Sequence, residues 1–314
     1  MTTKILVVDI HAEMYRDRLQ ADFPSLQFLL FENASAVTGD LSEVDVMIMF
    51  GIEVRDEMLA GAPKLKWIQS LATGVDHFLR CPSLKPDVVI TSGRGIHGAP
   101  MREEVVYLMM GASRDARRQV EDHQHHIWQR RMWSTLHGKT AVVVGTGIIG
   151  EAVGELLRAF GMHTIGVTRT PRKIRSFDEV MPQARLPEAA AKADYLINIL
   201  PASDDHIGLF GAEVFGAMKP SGYYISAGRG QTVDEDALIE VLRERRIAGA
   251  GLDVFHAEPL PPESPFWQLP NVFITPHIGG YVFEYEDFIT PLILDNMRLF
   301  LSGRLTDMQN IVPR

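Results

Sequence analysis

A chain of 314 residues, 46% hydrophobic and 23% charged, has room for about two domains with ordinary cores. Its 31 Lys+Arg against 40 Asp+Glu leave a formal charge of -9 with no basic cluster, which speaks against nucleic acid as a partner. The single cysteine, Cys81, excludes an internal disulfide framework, the start lacks a secretory layout, and no apolar run approaches the ~18 residues of a membrane span, so a cytoplasmic protein is expected.

The first hundred residues alternate short apolar runs with helical spacing. Lys4–Ile10, Gln27–Glu32, Asp45–Phe50, Lys66–Leu71 and Val88–Ser92 read as strands, and Ala12–Ala21 and Arg55–Ala60 as helices. That alternation predicts an α/β unit with a parallel sheet. Its first strand-to-helix turn, Asp9-Ile10-His11-Ala12, carries no glycine fingerprint, so this unit is not expected to hold dinucleotide phosphates. After Leu71 comes Ala72-Thr73-Gly74-Val75-Asp76-His77, where a positive φ at Gly74 would gather N–H groups into an anion-binding concavity. An ordinary turn ahead of a helix start at Asp76 is the plainer alternative.

Gly95 to Pro100 is a breaker cluster and a natural hinge. One long helical pattern follows, from about Met101 to His126, and then Trp128-Gln129-Arg130-Arg131-Met132-Trp133, a composition common in subunit interfaces. His123, His125 and His126 lack a carboxylate or cysteine partner at helix-face spacing, so no metal site is expected.

A second α/β unit starts at Lys139. Val142 to Val144 form a β-branched run suited to a strand buried on both faces, and Gly145, Gly147 and Gly150 complete G-x-G-x-x-G ahead of a helix from Ile148 to about Phe160. In that context the glycines have separate uses: a tight turn, close approach to a pyrophosphate, and close helix–strand packing. The helix start offers unpaired N–H groups and its positive dipole end. Further strands are expected at Thr164–Thr168, Tyr195–Leu200, Gly222–Ser226, Gly249–Val254 and Val272–Thr275, the count of a complete dinucleotide-binding sheet. Asp234-Glu235-Asp236 opens a helix that Arg243 to Arg246 close, in the sense of the helix dipole. A last helix, about Glu286 to Leu301, is placed to return to the first unit.

Polar residues collect at the carboxyl ends of the second unit's strands: Ser226-Ala227-Gly228-Arg229-Gly230, Asp253-Val254-Phe255 with Glu258-Pro259-Leu260-Pro261, and Thr275-Pro276-His277-Ile278-Gly279-Gly280. Open α/β sheets bind ligands at that edge. These stretches, with the Gly145–Gly150 fingerprint and Gly74-Val75-Asp76-His77, resemble the D-isomer-specific 2-hydroxyacid dehydrogenases over nearly the whole chain. The resemblance implies an α/β protein of two doubly wound parallel-sheet domains. A Rossmann cofactor domain (99–284) is inserted into a flavodoxin-like substrate domain (1–98 and 285–314), with the active site in the cleft between them, in a homodimer. It implies Arg229, Glu258 and His277 as the catalytic set. Around the cofactor it places Gly145, Thr146, Gly147, Ile148, Ile149, Gly150, Thr168, Arg169, Thr170, Arg172, Leu200, Pro201, His206, Ala227, Gly228, Arg229, Asp253, His277, Gly279 and Gly280. Around the substrate it places Ala72, Thr73, Gly74 and Val75, with Arg229 and His277.

The chemistry agrees. A 2-keto acid offers a carboxylate to the planar donors of Arg229, and its ketone oxygen needs a proton as hydride arrives. His277 is the natural acid, with Glu258 on its far nitrogen, fixing the ring and favouring its protonated form. Gly51, Leu71, Met101, Trp133 and Tyr281 are candidates for the side-chain pocket. Three departures from the family pattern stand out. Ser226 replaces a common asparagine. Glu104 replaces a common histidine and receives no role. At the ribose position, where NAD-dependent members carry aspartate, Thr168 is followed by Arg169, Thr170, Pro171 and Arg172. Cations without a carboxylate favour a 2′-phosphate, so NADP(H) is the expected cofactor, with NAD(H) left open. Formate dehydrogenases differ at the acid–base pair, and the length leaves no room for the regulatory domain of some phosphoglycerate dehydrogenases. The alternative class is a dinucleotide-sensing, corepressor-like binding protein on the same fold.

Overall fold

The computed structural model describes every residue but Met1 and Arg314, so these two ends of the expected substrate domain lie outside the described residues. The chain divides into two compact units, one running to Ile96 and resuming at Phe283, the other His97–Val282.

In the first unit, strands β1 (Lys4–Val8), β2 (Gln27–Phe31), β3 (Val46–Met49), β4 (Trp67–Ser70) and β5 (Val89–Thr91) pair in parallel in the order β2-β1-β3-β4-β5. That is the flavodoxin-like order. Helices α1 (Ala12–Asp22), α2 (Asp56–Ala60) and α3 (Asp76–Leu79) connect the strands. Leu6, Met47, Ile68 and Phe78 are fully buried in its core. The expected strands are present, each shorter by a residue or two.

The second unit opens with α4 (Gly98–Ser113) and α5 (Ala116–Gln124). The single helix expected over Met101–His126 is therefore two. Asp115 adopts φ +54°, and its carboxylate accepts from Arg118 N at 3.3 Å, so it ends one helix turn and caps the next. Then come β6 (Thr140–Val144), α6 (Ile148–Ala159), β7 (His163–Thr168), β8 (Glu179–Pro182), α7 (Leu186–Lys192), β9 (Tyr195–Asn198), α8 (Ala212–Ala217), β10 (Tyr223–Ser226), α9 (Glu235–Arg243), β11 (Gly249–Leu252) and β12 (Val272–Ile274). The sheet order is β12-β11-β10-β9-β6-β7-β8, all parallel, which is the Rossmann order with one more strand beyond the last. The sequence reading missed β8: it is a four-residue edge strand that ends on proline, which only an edge tolerates.

The final helix, α10 (Tyr285–Leu301), belongs to the first unit and packs against α1. Its fully buried Asn296 donates to Gln69 Oε1 at 3.3 Å and accepts from Gln309 N at 2.7 Å, fixing the returning tail to the sheet. Among the described residues, no helix is long and apolar enough to cross a membrane.

Candidate active site

The switch point of the second sheet lies where β6 neighbours both β7 and β9. Here the fingerprint turn leaves β6. Gly145 has φ +107°, a region that favours glycine, and a Cβ on Gly150 would lie 1.9 Å from the Gly145 carbonyl oxygen. Gly147 differs: its φ is -81° and a Cβ there would meet nothing within 4 Å. Folding does not require glycine at 147, whereas close approach by a ligand does. Gly147 is the N-cap of α6 and supplies no side-chain cap, which leaves the first N–H groups of the helix, from Ile148 and Ile149 onward, without a capping side chain. Thr146 is buried, with its methyl towards Gly166. A dinucleotide pyrophosphate fits this cradle.

Thr168 ends β7 and is partly exposed, with Arg169, Thr170 and Arg172 exposed beyond it. The expectation of a site without carboxylates needs correction. Arg169 pairs with Asp205 at 3.0 Å and Arg172 with Glu151 at 3.5 Å. Both acids come from other elements, which sequence order at the ribose position does not reveal. With side-chain exposures of 68% and 70% in the first pair, such contacts contribute at most about 1 kcal/mol and open readily.

Leu200 and Pro201 follow β9. Fully buried Asn198 fixes this turn: its Oδ1 accepts from Leu200 N at 3.1 Å, and its Nδ2, with two hydrogens, lies within hydrogen-bond distance of Tyr224 Oη, Ser226 Oγ and Thr232 Oγ1 at 3.1, 3.3 and 2.7 Å, the last being the shortest. Thr232 in turn donates to the Arg229 carbonyl at 2.7 Å. Asn198 thus ties the cofactor-side turn to the arginine turn. Its signal in the sequence is an amide ending the apolar run Tyr195-Leu196-Ile197. His206 is buried, with Nδ1 3.1 Å from the Pro201 carbonyl, and supports the same turn.

Arg229, Glu258 and His277 follow the ends of β10, β11 and β12, three adjacent strands. Ala227 and Gly228 are buried in the backbone leading to Arg229. Arg229 Nη1 donates to the Gly228 carbonyl at 2.8 Å, which orients the guanidinium. Gly230 backs onto Phe255, bringing the arginine turn against the segment that carries Glu258. His277 Nδ1 lies 2.6 Å from Glu258 Oε2, while Glu258 Oε1 accepts from Phe255 N at 2.9 Å. A carboxylate that accepts on both oxygens places the ring proton on Nδ1 and leaves Nε2 for chemistry. His277 keeps 43% side-chain exposure and a left-handed φ of +56°, an uncommon state for a residue with a Cβ.

Buried Asp253 holds that turn. Its Oδ1 accepts from Ile278 N at 2.9 Å and its Oδ2 from Gly279 N at 3.1 Å, so it supports the histidine turn with both oxygens. Buried Thr275 and Glu104, neither given a role from sequence, complete the support: Thr275 Oγ1 lies 2.6 Å from Asp253 Oδ1 and 2.8 Å from Glu104 Oε1. His97, at the start of α4, is a further residue the sequence did not single out. It packs against Gly280, and burial, aided by the Arg229 charge, pushes its pKa down and keeps the ring neutral.

In the first unit, Gly74 does not adopt a positive φ, and a Cβ there would meet nothing within 4 Å, which corrects the reason expected for glycine at this position. Ala72 N donates to Ser70 Oγ at 3.2 Å, so that N–H is engaged within the turn. Thr73, Gly74 and Val75 complete the loop before α3.

Residues 106–279 match the family described as D-isomer specific 2-hydroxyacid dehydrogenase, NAD binding domain. The chain is 30% identical over 319 residues to glyoxylate/hydroxypyruvate reductase B of Yersinia enterocolitica, covering 96% of this chain and 95% of that one. It also matches D-3-phosphoglycerate dehydrogenases such as that of Mycobacterium leprae, of which it spans about half the length, at 32% identity over 266 residues and 83% of this chain. Among solved structures, a D-isomer specific 2-hydroxyacid dehydrogenase family protein from Aeromonas salmonicida superposes with a TM-score of 0.91 at 31% identity, covering 100% of this chain and 99% of the other. The NADPH-dependent glyoxylate/hydroxypyruvate reductase of Sinorhizobium meliloti, in complex with NADP and sulfate, gives 0.83 at 27% identity, covering 99% and 98%.

Proposed function

The chain belongs to the D-isomer specific 2-hydroxyacid dehydrogenases, an oxidoreductase family, and on that premise we propose that it reduces small 2-keto acids of the glyoxylate or hydroxypyruvate type with NADPH. The observation that carries the reading is the 2.6 Å contact between His277 Nδ1 and Glu258 on turns neighbouring Arg229. When bound, the nicotinamide cofactor supplies the hydride in reduction and takes it up in oxidation. The turn Gly145–Gly150 and the start of α6 would hold its pyrophosphate, and Leu200, Pro201, Ala227 and Gly228 would line its path. Asp253 contributes by holding the backbone of Ile278 and Gly279 in place.

Arg229 would bind the substrate carboxylate through its planar fork. His277 Nε2 holds the proton that goes to the ketone oxygen and takes it back in oxidation. Glu258 orients the ring and balances the charge it carries when protonated. Catalysis requires this acid–base pair, and a corepressor-like binding protein on the same fold does not.

For the cofactor, Thr168, Thr170, Arg169 and Arg172 favour a 2′-phosphate. A dianion makes stronger, charge-assisted bonds to both arginines than Asp205 and Glu151 make at the exposed surface. The reductase from Sinorhizobium meliloti supports this choice as a relative that holds NADP. NAD(H) would be the weaker cofactor. We further propose a cytoplasmic homodimer. Trp128 is 94% exposed and Met132 102%, more apolar surface than one segment of a monomer ordinarily leaves to water.

NADPH consumption with a panel of 2-keto acids tests the function. Turnover with small members supports it. Tight cofactor binding with no turnover across the panel would replace it with the binding-protein reading.

A further inference from the structure

Thr275 has one hydroxyl hydrogen but two carboxyl oxygens within hydrogen-bond distance, at 2.6 Å from Asp253 and 2.8 Å from Glu104. One hydrogen cannot serve both, and two ionised carboxylates on one buried hydroxyl would repel each other with little water to screen them. The arrangement closes if one acid carries a proton and donates it to Thr275 Oγ1. Asp253 is the poorer holder, because both its oxygens already accept backbone N–H bonds, from Ile278 and Gly279, which a proton would weaken. Glu104 is only 9% exposed and sits on α4 facing the hydroxyl, with its Cγ against Gly279.

We propose that Glu104 is a neutral carboxylic acid and a positioning residue for His277. It donates to Thr275, Thr275 donates to Asp253, and Asp253 clamps the turn that holds His277 in its left-handed conformation. The chain of bonds runs in one direction, from a proton on one helix to the backbone beside the acid–base residue. Family membership does not call for this device, since many relatives carry histidine at the corresponding position.

Burial pushes the Glu104 carboxyl above its ordinary value, against the Thr275 hydrogen bond and with the repulsion of Asp253. Among the described residues, Asp253, beyond β11, is the charged group that bears on Glu104, and the turn after β12 faces it with a neutral hydroxyl. The sign follows. Below its raised pKa Glu104 is neutral and the clamp is complete. As pH rises through that pKa, a second negative charge appears beside Asp253, Thr275 loses a donor, and the His277 turn loosens.

The inference rests on His277 being the acid–base residue, so its test separates the two claims. The protein labelled with ¹³C at glutamate carboxyls is titrated by NMR, with Glu104 assigned by its loss in Glu104→Gln, and the backbone amides of Ile278 and Gly279 are followed in parallel. The expected result is a Glu104 carboxyl neutral at pH 7 whose ionisation shifts both amides at the same midpoint, and amides that ignore that midpoint in Glu104→Gln. Should the variant not fold, the titration of both amides in the unaltered protein carries the test alone.

Turnover adds a second readout. In the direction of 2-hydroxy acid oxidation, the rate falls on the alkaline side as Glu104 ionises, by up to about tenfold per pH unit. Glu104→Gln, whose amide donates to Thr275 at every pH, should rescue the alkaline rate. A Glu104 carboxyl already ionised at pH 7, amides that do not follow it, or an alkaline fall that persists in Glu104→Gln overturns the proposal. Absence of all turnover would sink the role of His277 and leave the NMR result to decide the clamp.

Discussion

Gly150→Ala drives a methyl group into backbone. The added Cβ would stand 1.9 Å from the Gly145 carbonyl oxygen and 2.9 Å from its carbon, and neither atom can swing aside as a side-chain tip would. Overpacking of this kind costs ~1–3 kcal/mol, and the gain of alanine over glycine inside a helix returns at most ~1 kcal/mol. A collision with backbone belongs at the upper end, so the net loss is about 2 kcal/mol, accompanied by an opened turn. Gly147→Ala in the same turn meets nothing within 4 Å and leaves a φ of -81° that alanine adopts freely. Its stability should change by less than about 1 kcal/mol, the scale of a weak N-cap change. Its methyl nevertheless stands on the face a pyrophosphate must approach, so NADPH affinity should fall at least about tenfold. Urea unfolding without cofactor reads the first quantity, and a fluorescence titration with NADPH reads the second. Unfolding of Gly150→Ala at the parent's urea concentration, or parental NADPH affinity in Gly147→Ala, would refute the division of roles.

His277→Ala should lower kcat by roughly 10²- to 10⁴-fold while leaving NADPH affinity near the parent's, and Glu258→Gln should lower kcat without loss of cofactor binding; steady-state kinetics with a binding titration checks both. Arg169→Ala should raise the KM for NADPH by about tenfold and that for NADH far less, and Thr168→Asp should move preference towards NADH; parental cofactor selectivity in both variants would remove these residues from recognition of the phosphate. At micromolar concentration, light scattering should report twice the 35.1 kDa chain mass, and a monomer would contradict the interface read from Trp128 and Met132.

Much of the second unit was legible because its chemistry is local. The β-branched run Val142–Val144, the glycine spacing after it and the acidic N-cap of α9 each act within a few residues, and strand and helix formed where those signals stood. β8 was not legible, because four residues at a sheet edge carry no periodicity. The break at Asp115 hid for another reason: the sequence on both sides is helical, and only the residue's own left-handed conformation stops the turn. In the site, Arg229, Glu258 and His277 were readable from their positions beyond strand ends. Their supports were not. Asn198 reaches Thr232 across 34 positions and Glu104 reaches Thr275 across 171, so their roles exist only once the sheet has formed. The ion pairs of Arg169 and Arg172 escaped notice for the same reason, since Asp205 and Glu151 arrive from other elements.

The proposed function requires His277 to deliver a proton to a 2-keto acid as hydride reaches its carbon. The direct measurement is single-turnover reduction of glyoxylate or hydroxypyruvate by NADPH deuterated at the transferable position, with the product analysed for label and handedness and His277→Ala run alongside. The expected product carries deuterium at C2, with D configuration where the carbon is chiral, and His277→Ala slows this step strongly with cofactor bound. An unlabelled product, or an equally fast step in His277→Ala, would contradict it.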